Sequence, residues 1–400
     1  MHPNMNDFQA VVLAAGKGSR ITDLVSCDEF KCNVQIGNRP MLFYPLRNLK
    51  NAGFKEATVI VPNKYRADEN IAKELQLHID YVNVNVELED QGTAESLRLI
   101  KDRLKPNRHV LLVSCDLITD IDLSELCVRQ RVSDALLTLL LAPLPTQLTE
   151  CAVPGSRKKF QPECDIVVLQ TGTQRLLKFG AAADFAENVT FRQKLVRQFP
   201  SMQLHSDQLD CHVYALHPKA VEFVLTHKLL ATFKGEVLPK LVEKQFSKKD
   251  LRDEDRSKAD TLDTLKCYAL LSTSFALRAN TLQAYKIANG EVKNIFHDLF
   301  PGGSENIFKE KTLLHKVQAK KSVIGARVTI GTGSRVLSCV IQDDVVIGEG
   351  ALIQNSIVCR GCKLGKNVSV INSFLGARTQ LGEGKGVTNE SVGISSMEFE

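Results

Sequence analysis

The chain has 400 residues, of which 44% are hydrophobic and 24% are charged. This length exceeds what one compact hydrophobic core usually serves, so we expect two domains. The formal net charge of +5 is small for such a length and gives no reason to invoke nucleic acid or a membrane surface as a partner.

Eleven cysteines are spread along the chain without a pattern. An odd number in a long chain argues against a secreted disulfide framework, so we expect reduced thiols and a cytoplasmic protein. The first residues, MHPNMNDF, lack the apolar stretch of a secretory signal, and no run reaches about 18 apolar residues. Cys359 and Cys362 form one C-x-x-C pair, and because no second pair or histidine lies nearby, we expect them to be packing residues and not a metal or redox site.

Strand and helix signals alternate through the first 140 residues or so. Apolar runs predict strands at 10–15, 57–62, 82–86, 109–116 and 134–143. Helices are expected at 40–53, 66–77, 93–104 and 123–131, the third with Thr93 as its N-cap. Such alternation, with strands that are apolar throughout, predicts a Rossmann-like α/β domain with a mostly parallel sheet. Ligands of such sheets lie at the carboxyl ends of the strands, where the turn after residue 15 and Asp116 are both expected.

Residues 144–300 carry weaker signals. Strands are expected at 167–170, 211–216 and 267–272, and helices at 184–198, 218–229 and 235–246. The charged stretch 247–260 predicts a solvated loop. His205, His212 and His217 share no ligand-like spacing, so we expect ordinary structural roles for them. We assign residues 1–300 to the α/β domain and 301–319 to a linker.

From residue 320 the apolar residues repeat with a period of 17. Eleven positions from Ile324 to Leu381 follow steps of 6, 6 and 5, and glycines from Gly331 to Gly382 keep the same period. An α-helix cannot place every sixth residue on one face, whereas a triangular β-helix points one residue of each short strand inward. We therefore predict a left-handed parallel β-helix of hexapeptide repeats at 320–385, followed by a tail at 386–400.

A glycine-rich turn, AAGKGSR at 14–20, follows the first predicted strand. It lacks the ending of a P-loop and the spacing of the dinucleotide fingerprint, and a sharp turn alone would also explain its glycines. Arg20 and Lys31 follow at distances that allow both to reach phosphate oxygens. The turn DQGTAES at 90–96 opens a helix whose N–H groups can contact a base or a phosphate. Asp116, which ends a strand, is a natural Mg²⁺ ligand.

Four segments, LAAGKGSRI, GNRPMLFYPL, GTAESL and LLVSCDLITD, resemble the sugar-phosphate nucleotidyltransferases, in which a C-terminal left-handed β-helix is common. With RLLKF, LVEKQFS and RANTLQAY, the chain is similar over nearly its whole length to the gamma subunits of eukaryotic translation initiation factor 2B. The resemblance implies a subunit of the cytosolic exchange factor that promotes GDP release and GTP loading on initiation factor 2. It implies the epsilon subunit, the other subunits and initiation factor 2 as partners, with no direct nucleic-acid or membrane contact.

The resemblance also implies a vestigial site. Its nucleotide-binding positions are Ala14, Gly16, Gly18, Ser19, Arg20, Lys31, Gly92 and Thr93, and its metal position is Asp116. An active family member clamps the triphosphate with Arg and Lys, holds Mg²⁺ between two carboxylates and binds the sugar phosphate through a lysine in a Glu-Lys-Pro run.

This chain departs from that pattern. Arg278, in RANTLQAY, stands where the second carboxylate is expected, and a cation there repels Mg²⁺ by roughly several kcal/mol. Lys31 lies in EFKCNVQ, where the family usually has Pro-Lys-Pro. No Glu-Lys-Pro run occurs between residues 150 and 200, and Lys178, the nearest substitute, is more simply explained as a surface lysine. We therefore expect a degenerate transferase with no catalytic residues and no cofactor beyond residual nucleotide and Mg²⁺ binding.

Two other functions would require residues that this sequence lacks. An active sugar-1-phosphate nucleotidyltransferase resembling GDP-mannose pyrophosphorylase would need the second carboxylate. A β-helix acyltransferase would need a histidine projecting from a coil, and residues 318–400 contain none. In the complex that this chain resembles, exchange activity is associated with a helical-repeat domain of the epsilon subunit, so we expect a supporting role here.

Overall fold

The computed structural model describes residues 4–22, 24–25, 30–85, 92–150, 155, 164–181, 190–191, 193–246, 266–300, 305–309 and 316–393. The loop predicted at 247–260 and the last seven residues of the predicted tail lie outside these ranges. The chain divides into two compact units built from separate segments. Unit 1 comprises Met1–Gly16, Leu42–Leu144 and Glu163–Ala276, and unit 2 comprises Lys17–Met41, Pro145–Pro162 and Leu277–Glu400. The domain boundaries predicted at residues 300 and 320 stay a prediction.

A seven-stranded sheet forms the centre of unit 1. Its strands are β1 (Phe8–Leu13), β2 (Glu56–Pro62), β3 (His78–Val84), β4 (His109–Ser114), β5 (Leu137–Pro143), β6 (Gln208–Leu216) and β7 (Cys267–Leu271). They lie in the order β7-β5-β6-β4-β1-β2-β3. Six strands run in one direction and β6 runs against both of its neighbours. The mostly parallel sheet is confirmed, and the reversal of β6 is a feature that the sequence did not predict.

The central strands are apolar along their whole length because both faces of the sheet are covered. Val11, Leu112 and Leu139 are fully buried and belong to one hydrophobic cluster with residues of the covering helices. A parallel sheet that is covered on both sides favours continuous apolar runs over alternation, which is why these strands were recognisable in the sequence. A smaller antiparallel sheet is formed by Ile166–Gln170, Leu176–Gly180 and Met202–His205.

Nine α-helices lie within the described residues: α1 (Phe43–Asn51), α2 (Glu69–Leu75), α3 (Thr93–Leu99), α4 (Leu123–Val132), α5 (Gln147–Glu150), α6 (Gln193–Gln198), α7 (Pro218–Thr226), α8 (Leu238–Lys244) and α9 (Leu282–Ile295). Asp68 and Asp122 cap α2 and α4 by accepting hydrogen bonds from Asn70 N–H and Ser124 N–H. A π-helical turn, Phe233–Val237, leads directly into α8. None of the helices in the described ranges has the length and apolar character that crossing a bilayer requires.

Unit 2 contains a β-helix with three parallel sheets. One sheet consists of Ile307–Phe308, Val323–Ile324, Val340–Ile341, Ile357–Val358, Phe374–Leu375 and Ser391–Val392. The second consists of Gln318–Lys320, Arg335–Leu337, Leu352–Gln354, Ser369–Ile371 and Gly386–Thr388, and the third of Thr329–Ile330, Val346–Ile347, Lys363–Leu364 and Gln380–Leu381. Paired residues such as Ile324 and Ile341 are one 17-residue coil apart. The period read from the sequence is thus the coil length, as expected for the predicted left-handed β-helix.

Apolar side chains fill the interior of the β-helix, and its glycine repeat has a steric cause. Ile341, Val358 and Leu375 are almost completely buried, in successive coils. A Cβ on Gly331 would lie 2.4 Å from the Glu349 nitrogen, and one on Gly348 would lie 2.5 Å from the Gly365 carbonyl carbon. The glycines therefore allow the backbones of neighbouring coils to approach closely at this corner.

The remaining elements of unit 2, apart from the helices α5 and α9, come from its first and third segments. They are the 3-10 turns Lys31–Asn33 and His297–Leu299 and the hairpin strands Gln35–Ile36 and Arg39–Pro40; strand Ala276–Arg278 begins at the last residue of unit 1. The N–H of Gly37 donates to Asn289 Oδ1 at 2.9 Å, and Asn38 Nδ2 donates to the Ile324 carbonyl at 2.9 Å. These bonds fix the hairpin between α9 and the β-helix.

Candidate functional site

The glycine turn begins in unit 1, at the carboxyl end of β1. The N–H of Ala14 donates to the Ile60 carbonyl at 2.9 Å, where the chain leaves the sheet. Leu13 pairs with Ser114 of β4, so Ala14 and Asp116 lie at the same edge of the sheet, as the sequence predicted. Gly16 is exposed, and a Cβ placed on it would meet no atom within 4 Å. The space beside Gly16 is open.

The rest of the turn belongs to unit 2. Gly18 has a φ of +74°, and a Cβ there would lie 3.3 Å from Lys31 Cβ. The Gly18 carbonyl accepts a hydrogen bond from Ile21 N–H at 2.8 Å, which closes the turn. Ser19 and Arg20 are exposed, and Lys31 is half-buried as the first residue of a 3-10 turn. The structure thus brings Gly18 and Lys31 close together, and their role in binding phosphate stays a prediction.

Gly92 and Thr93 lie at the start of α3 and contact another segment of unit 1. A Cβ on Gly92 would lie 2.0 Å from the Ala231 carbonyl oxygen, which accepts a hydrogen bond from Ala94 N–H at 3.0 Å. Thr93 Oγ1 accepts a hydrogen bond from Phe233 N–H at 2.8 Å. Thr93 is the first residue of α3, and Gly92 occupies the N-cap position. The prediction that Thr93 is the N-cap was therefore wrong.

Arg98 holds α3 against the segment that follows α7. Its Nε donates to the Val224 carbonyl and its Nη2 to the His227 carbonyl, both at 2.8 Å. These carbonyls are at the C-terminal end of α7, where helices leave such acceptors without intrahelical partners. The guanidinium therefore satisfies orphan carbonyls and keeps the 231–233 segment beside the start of α3.

Asp116 follows β4 and is completely buried. Its Oδ1 accepts a hydrogen bond from Ser114 Oγ at 2.7 Å. Within the described ranges, no group of three His, Cys, Asp or Glu side chains is placed so that it could hold a metal ion. Asp116 is the one carboxylate that the sequence assigns to Mg²⁺. Arg278 lies at the end of a strand in unit 2, half-buried.

Lys178 is engaged with a neighbouring surface segment. Its Nζ donates to the Thr190 carbonyl and lies 5.1 Å from the centroid of the Phe191 ring. An ammonium group at this distance from an aromatic face gains a favourable cation–π interaction. These contacts favour the interpretation of Lys178 as a surface lysine over that of a sugar-phosphate ligand.

Sequence reasoning missed a buried cluster of charges in unit 1. Lys234 Nζ lies 2.7 Å from Asp165 Oδ2, and the Asp165 side chain is only 4% exposed. Asp210 is almost completely buried and accepts hydrogen bonds from Tyr214 OH at 2.5 Å and from His212 N–H at 2.9 Å. Burial raises the pKa of Asp210, against the opposing effect of Lys234.

This cluster lies at the carboxyl edge of the parallel strands. Asp210 pairs with Leu141 near the end of β5, and the register of β6 shifts between Asp210 and Tyr214. The reversed direction of β6 is what brings its first residues to this edge. The sequence gave little indication of this cluster. An aspartate before the predicted strand CHVYAL reveals neither the register shift in β6 nor the proximity of Lys234, which is distant in the chain.

The C-x-x-C pair lies inside the β-helix. Cys359 and Cys362 are both buried, and Cys362 Sγ donates to the Gly376 carbonyl at 3.1 Å. Burial raises the pKa of the Cys362 thiol to about 11, so very little reactive thiolate exists near neutral pH. All cysteines in the described part of the chain are free thiols. The packing interpretation is favoured over metal or redox use.

Two family models match the chain. Residues 9–150 match the model described as nucleotidyl transferase, and residues 315–396 match the model described as GMPPB C-terminal domain. The fold class predicted from the sequence is confirmed: a nucleotidyl transferase domain with a mostly parallel sheet precedes a parallel β-helix.

Individual proteins similar to this chain include translation initiation factor subunits and a guanyltransferase. The translation initiation factor eIF2B subunit gamma of Caenorhabditis elegans is 29% identical over 353 residues, which cover 85% of this chain and 81% of that protein. The eIF2B subunit epsilon of Schizosaccharomyces pombe is 22% identical over 82% of this chain and 48% of that protein. The mannose-1-phosphate guanyltransferase of Saccharomyces cerevisiae is 31% identical, but only over 30% of this chain and 33% of that protein. The eIF2B gamma subunits are homologues of this chain over most of its length, which confirms the resemblance seen in the sequence.

Proposed function

We propose that the chain is a non-catalytic subunit of the guanine-nucleotide exchange factor that acts on translation initiation factor 2. The observation that carries this proposal is the extent of the similarity. The gamma relative matches 85% of the chain, through both units, whereas the guanyltransferase relative matches 30%. A supporting role for the catalytic epsilon subunit follows from the same resemblance.

Nucleotide exchange makes no covalent bond. It requires a partner that binds the nucleotide-free or distorted state of the GTPase more tightly than the GDP-bound state. A subunit can contribute to this by holding and positioning the subunit that makes the differential contacts. The α/β unit and the β-helix would supply the surfaces for that role, with the epsilon subunit, the other subunits and initiation factor 2 as partners in the cytosol.

We further propose that the transferase chemistry has been lost. Arg278 stands where the resemblance to the nucleotidyltransferases implies the second metal carboxylate. Ala94 N–H and Thr93 Oγ1, at the start of the helix that a phosphate would approach, bind the 231–233 segment of the chain itself. Asp116 is buried rather than open to solvent. On this proposal the protein needs no cofactor, and any nucleotide or Mg²⁺ that it retains is bound without turnover.

Affinity purification tests the proposed assembly. The tagged chain should recover the other subunits of the exchange factor from cytoplasm, together with initiation factor 2, in salt high enough to remove loosely bound protein. A protein of unrelated fold that carries the same tag serves as the control. Recovery of the chain alone, or as a homo-oligomer, would contradict the proposal.

An active mannose-1-phosphate guanyltransferase is the second candidate, favoured by the GMPPB C-terminal match at 315–396. Pyrophosphate release from GTP, Mg²⁺ and mannose 1-phosphate distinguishes the two functions. We expect no release above the background seen without the sugar phosphate, while a known guanyltransferase in the same assay gives robust turnover. Turnover that disappears in the Asp116→Asn variant would establish the enzyme and overturn the proposed loss of chemistry.

A further inference from the structure

A cavity of about 460 Å³ lies entirely within unit 2, between α9 and the first coils of the β-helix. Its wall includes Lys286, Gly290 and Lys293 of α9 and Lys321, Ser338 and Asn355 at the β-helix corner. The volume is within the range of roughly 300–1,000 Å³ typical of small-molecule sites. None of the residues assigned to the vestigial nucleotide site lines it.

The side of α9 that lines the cavity is mostly polar, with Ile287 as its one large apolar residue. Lys286, Gly290 and Lys293 recur at the spacing of one helical face and all line the cavity. Gly290 is in the interior of this 14-residue helix, and a Cβ on it would meet no atom within 4 Å. Glycine in a helix interior costs about 1 kcal/mol relative to alanine. Packing does not require the glycine, and its effect is to keep the cavity open.

Lys286 is fixed at one end of a column of asparagine side chains. Its Nζ donates to Asn355 Oδ1, Asn355 Nδ2 donates to Asn372 Oδ1 at 2.9 Å, and Asn372 Nδ2 donates to Asn389 Oδ1 at 2.7 Å. Each amide therefore turns its oxygen toward α9 and its NH₂ away from it. This column holds the Lys286 ammonium in the cavity wall with little freedom, which reduces the entropy lost when an anion binds.

The charges around the cavity define the class of ligand. Three lysines, Lys286, Lys293 and Lys321, line it together with two glutamates, Glu291 and Glu305. Ammonium groups bind a phosphate as point charges, and carboxylate, amide and hydroxyl groups bind hydroxyls. A simple anion would use the lysines alone and be repelled by the glutamates. A phosphate ester that carries hydroxyl groups uses both sets.

We propose that this cavity binds a small hydroxylated phosphate ester, separately from the glycine turn. Phosphorus NMR of glycerol 3-phosphate with the full chain tests the proposal. We expect broadening of the phosphorus resonance that saturates and that glycerol 2-phosphate or a sugar phosphate reverses. The double variant Arg20→Ala/Lys31→Ala, which alters the glycine turn, should keep this binding.

The Gly290→Leu variant fills the cavity and should abolish the broadening, while leucine in place of a helical glycine preserves or raises the melting temperature. The double variant Lys286→Gln/Lys293→Gln should weaken binding by about tenfold or more, since it removes two of three cations. Lys363→Gln, at an exposed lysine on another face of the β-helix, is the matched control and should bind as the wild type does. The proposal would be overturned if Gly290→Leu left the broadening intact or if Arg20→Ala/Lys31→Ala removed it. It would also be overturned if sulfate reversed the broadening as effectively as glycerol 2-phosphate does.

Discussion

Phe233 donates its backbone N–H to Thr93 Oγ1 at 2.8 Å and so joins the start of α3 to the turn that leads into α8. The Ala231 carbonyl accepts from Ala94 N–H beside it, so two groups at the helix start are used within the protein. The N-terminus of a helix favours anions through its unpaired N–H groups. At α3 the chain's own backbone satisfies one of them.

Gly92 should be required for this contact. In Gly92→Ala the new Cβ would lie 2.0 Å from the Ala231 oxygen, so the segment has to move. We expect a loss of roughly 2–3 kcal/mol in the free energy of unfolding, measured by urea denaturation. Gly16→Ala is the matched control, because a Cβ there meets nothing within 4 Å, and its unfolding free energy should change by no more than about 0.5 kcal/mol. Equal effects of the two substitutions would show that Gly92 is not constrained by packing.

Thr93 should stabilise the protein through its hydroxyl oxygen, which accepts the hydrogen bond from Phe233 N–H. Thr93→Val keeps the shape of the side chain but leaves Phe233 N–H without its acceptor, and we expect a loss of about 1–3 kcal/mol in unfolding free energy. Thr93→Ser retains the oxygen and should lose much less. If valine and serine are equally tolerated, the hydrogen bond contributes nothing measurable, and the helix start remains available to a ligand.

The sequence predicted those parts of the fold in which a local pattern repeats. The 17-residue period determined the β-helix, since every coil places equivalent residues such as Ile324 and Ile341 in register. The direction of β6 in the sheet could not be predicted from the sequence, because the same apolar run is expected for a parallel and for an antiparallel strand. The Asp165–Lys234 ion pair was missed for a related reason: its partners are far apart in the chain, and only the fold brings them together. At the candidate site, the sequence assigned Gly18 and Lys31 to one set of nucleotide-binding positions, whereas the hydrogen bond from Phe233 N–H to Thr93 could not be predicted, because it joins residues that are far apart in the chain.

Unit 1 should lose stability as the pH falls below about 6.5, through two half-buried histidines. Burial lowers the pKa of His109 and of His217 below the usual value of 6.5, so the folded state favours neutral rings. The rings meet edge to face at 5.3 Å, and His217 Nδ1 accepts the N–H of Lys219 at 3.1 Å to cap α7. Protonation removes this acceptor. Stability is therefore full above the unfolded pKa and declines toward the folded pKa, by at most about 1.4 kcal/mol per pH unit for each histidine.

His217→Asn tests this pH dependence. Asparagine is a good N-cap and does not titrate, so the variant should retain the cap at neutral pH and show a smaller decline in the urea midpoint between about pH 7 and pH 5.5. The Asp7 carboxyl does not interfere, because its hydrogen bond with Arg131 lowers its pKa below 3.8 and its contribution is lost only in stronger acid. An unchanged decline in His217→Asn would exclude His217 as its source.

The asparagine column should stabilise the β-helix by two separable effects at Asn372. This residue has a φ of +47°, and its amide joins Asn355 and Asn389 by hydrogen bonds of 2.9 and 2.7 Å. Asn372→Ala loses both bonds and puts alanine, which adopts the left-handed region less readily than asparagine does, at this φ, so we expect a loss of about 2–3 kcal/mol in unfolding free energy. Asn372→Gly loses the bonds alone and should be less destabilising by about 1 kcal/mol. The reverse order of the two variants would contradict this account.

A second column in the β-helix has a cysteine, Cys339, among serines at the equivalent positions of neighbouring coils. Ser356 Oγ accepts the N–H of Ser373 at 3.0 Å and donates to the Gln354 carbonyl at 2.7 Å, and Ser322 Oγ accepts the N–H of Cys339 at 3.1 Å one coil earlier. Ser356→Ala leaves the Ser373 N–H buried without this acceptor, so the unfolding free energy should fall by about 1–3 kcal/mol. Cys339→Ser puts a hydroxyl into the same column and should change stability by less than about 1 kcal/mol, because Cys339 Sγ already donates to the Leu337 carbonyl in the equivalent manner. Thermal unfolding of the two variants measures the difference, and a Cys339→Ser protein as unstable as Ser356→Ala would show that the coils are not equivalent at this corner.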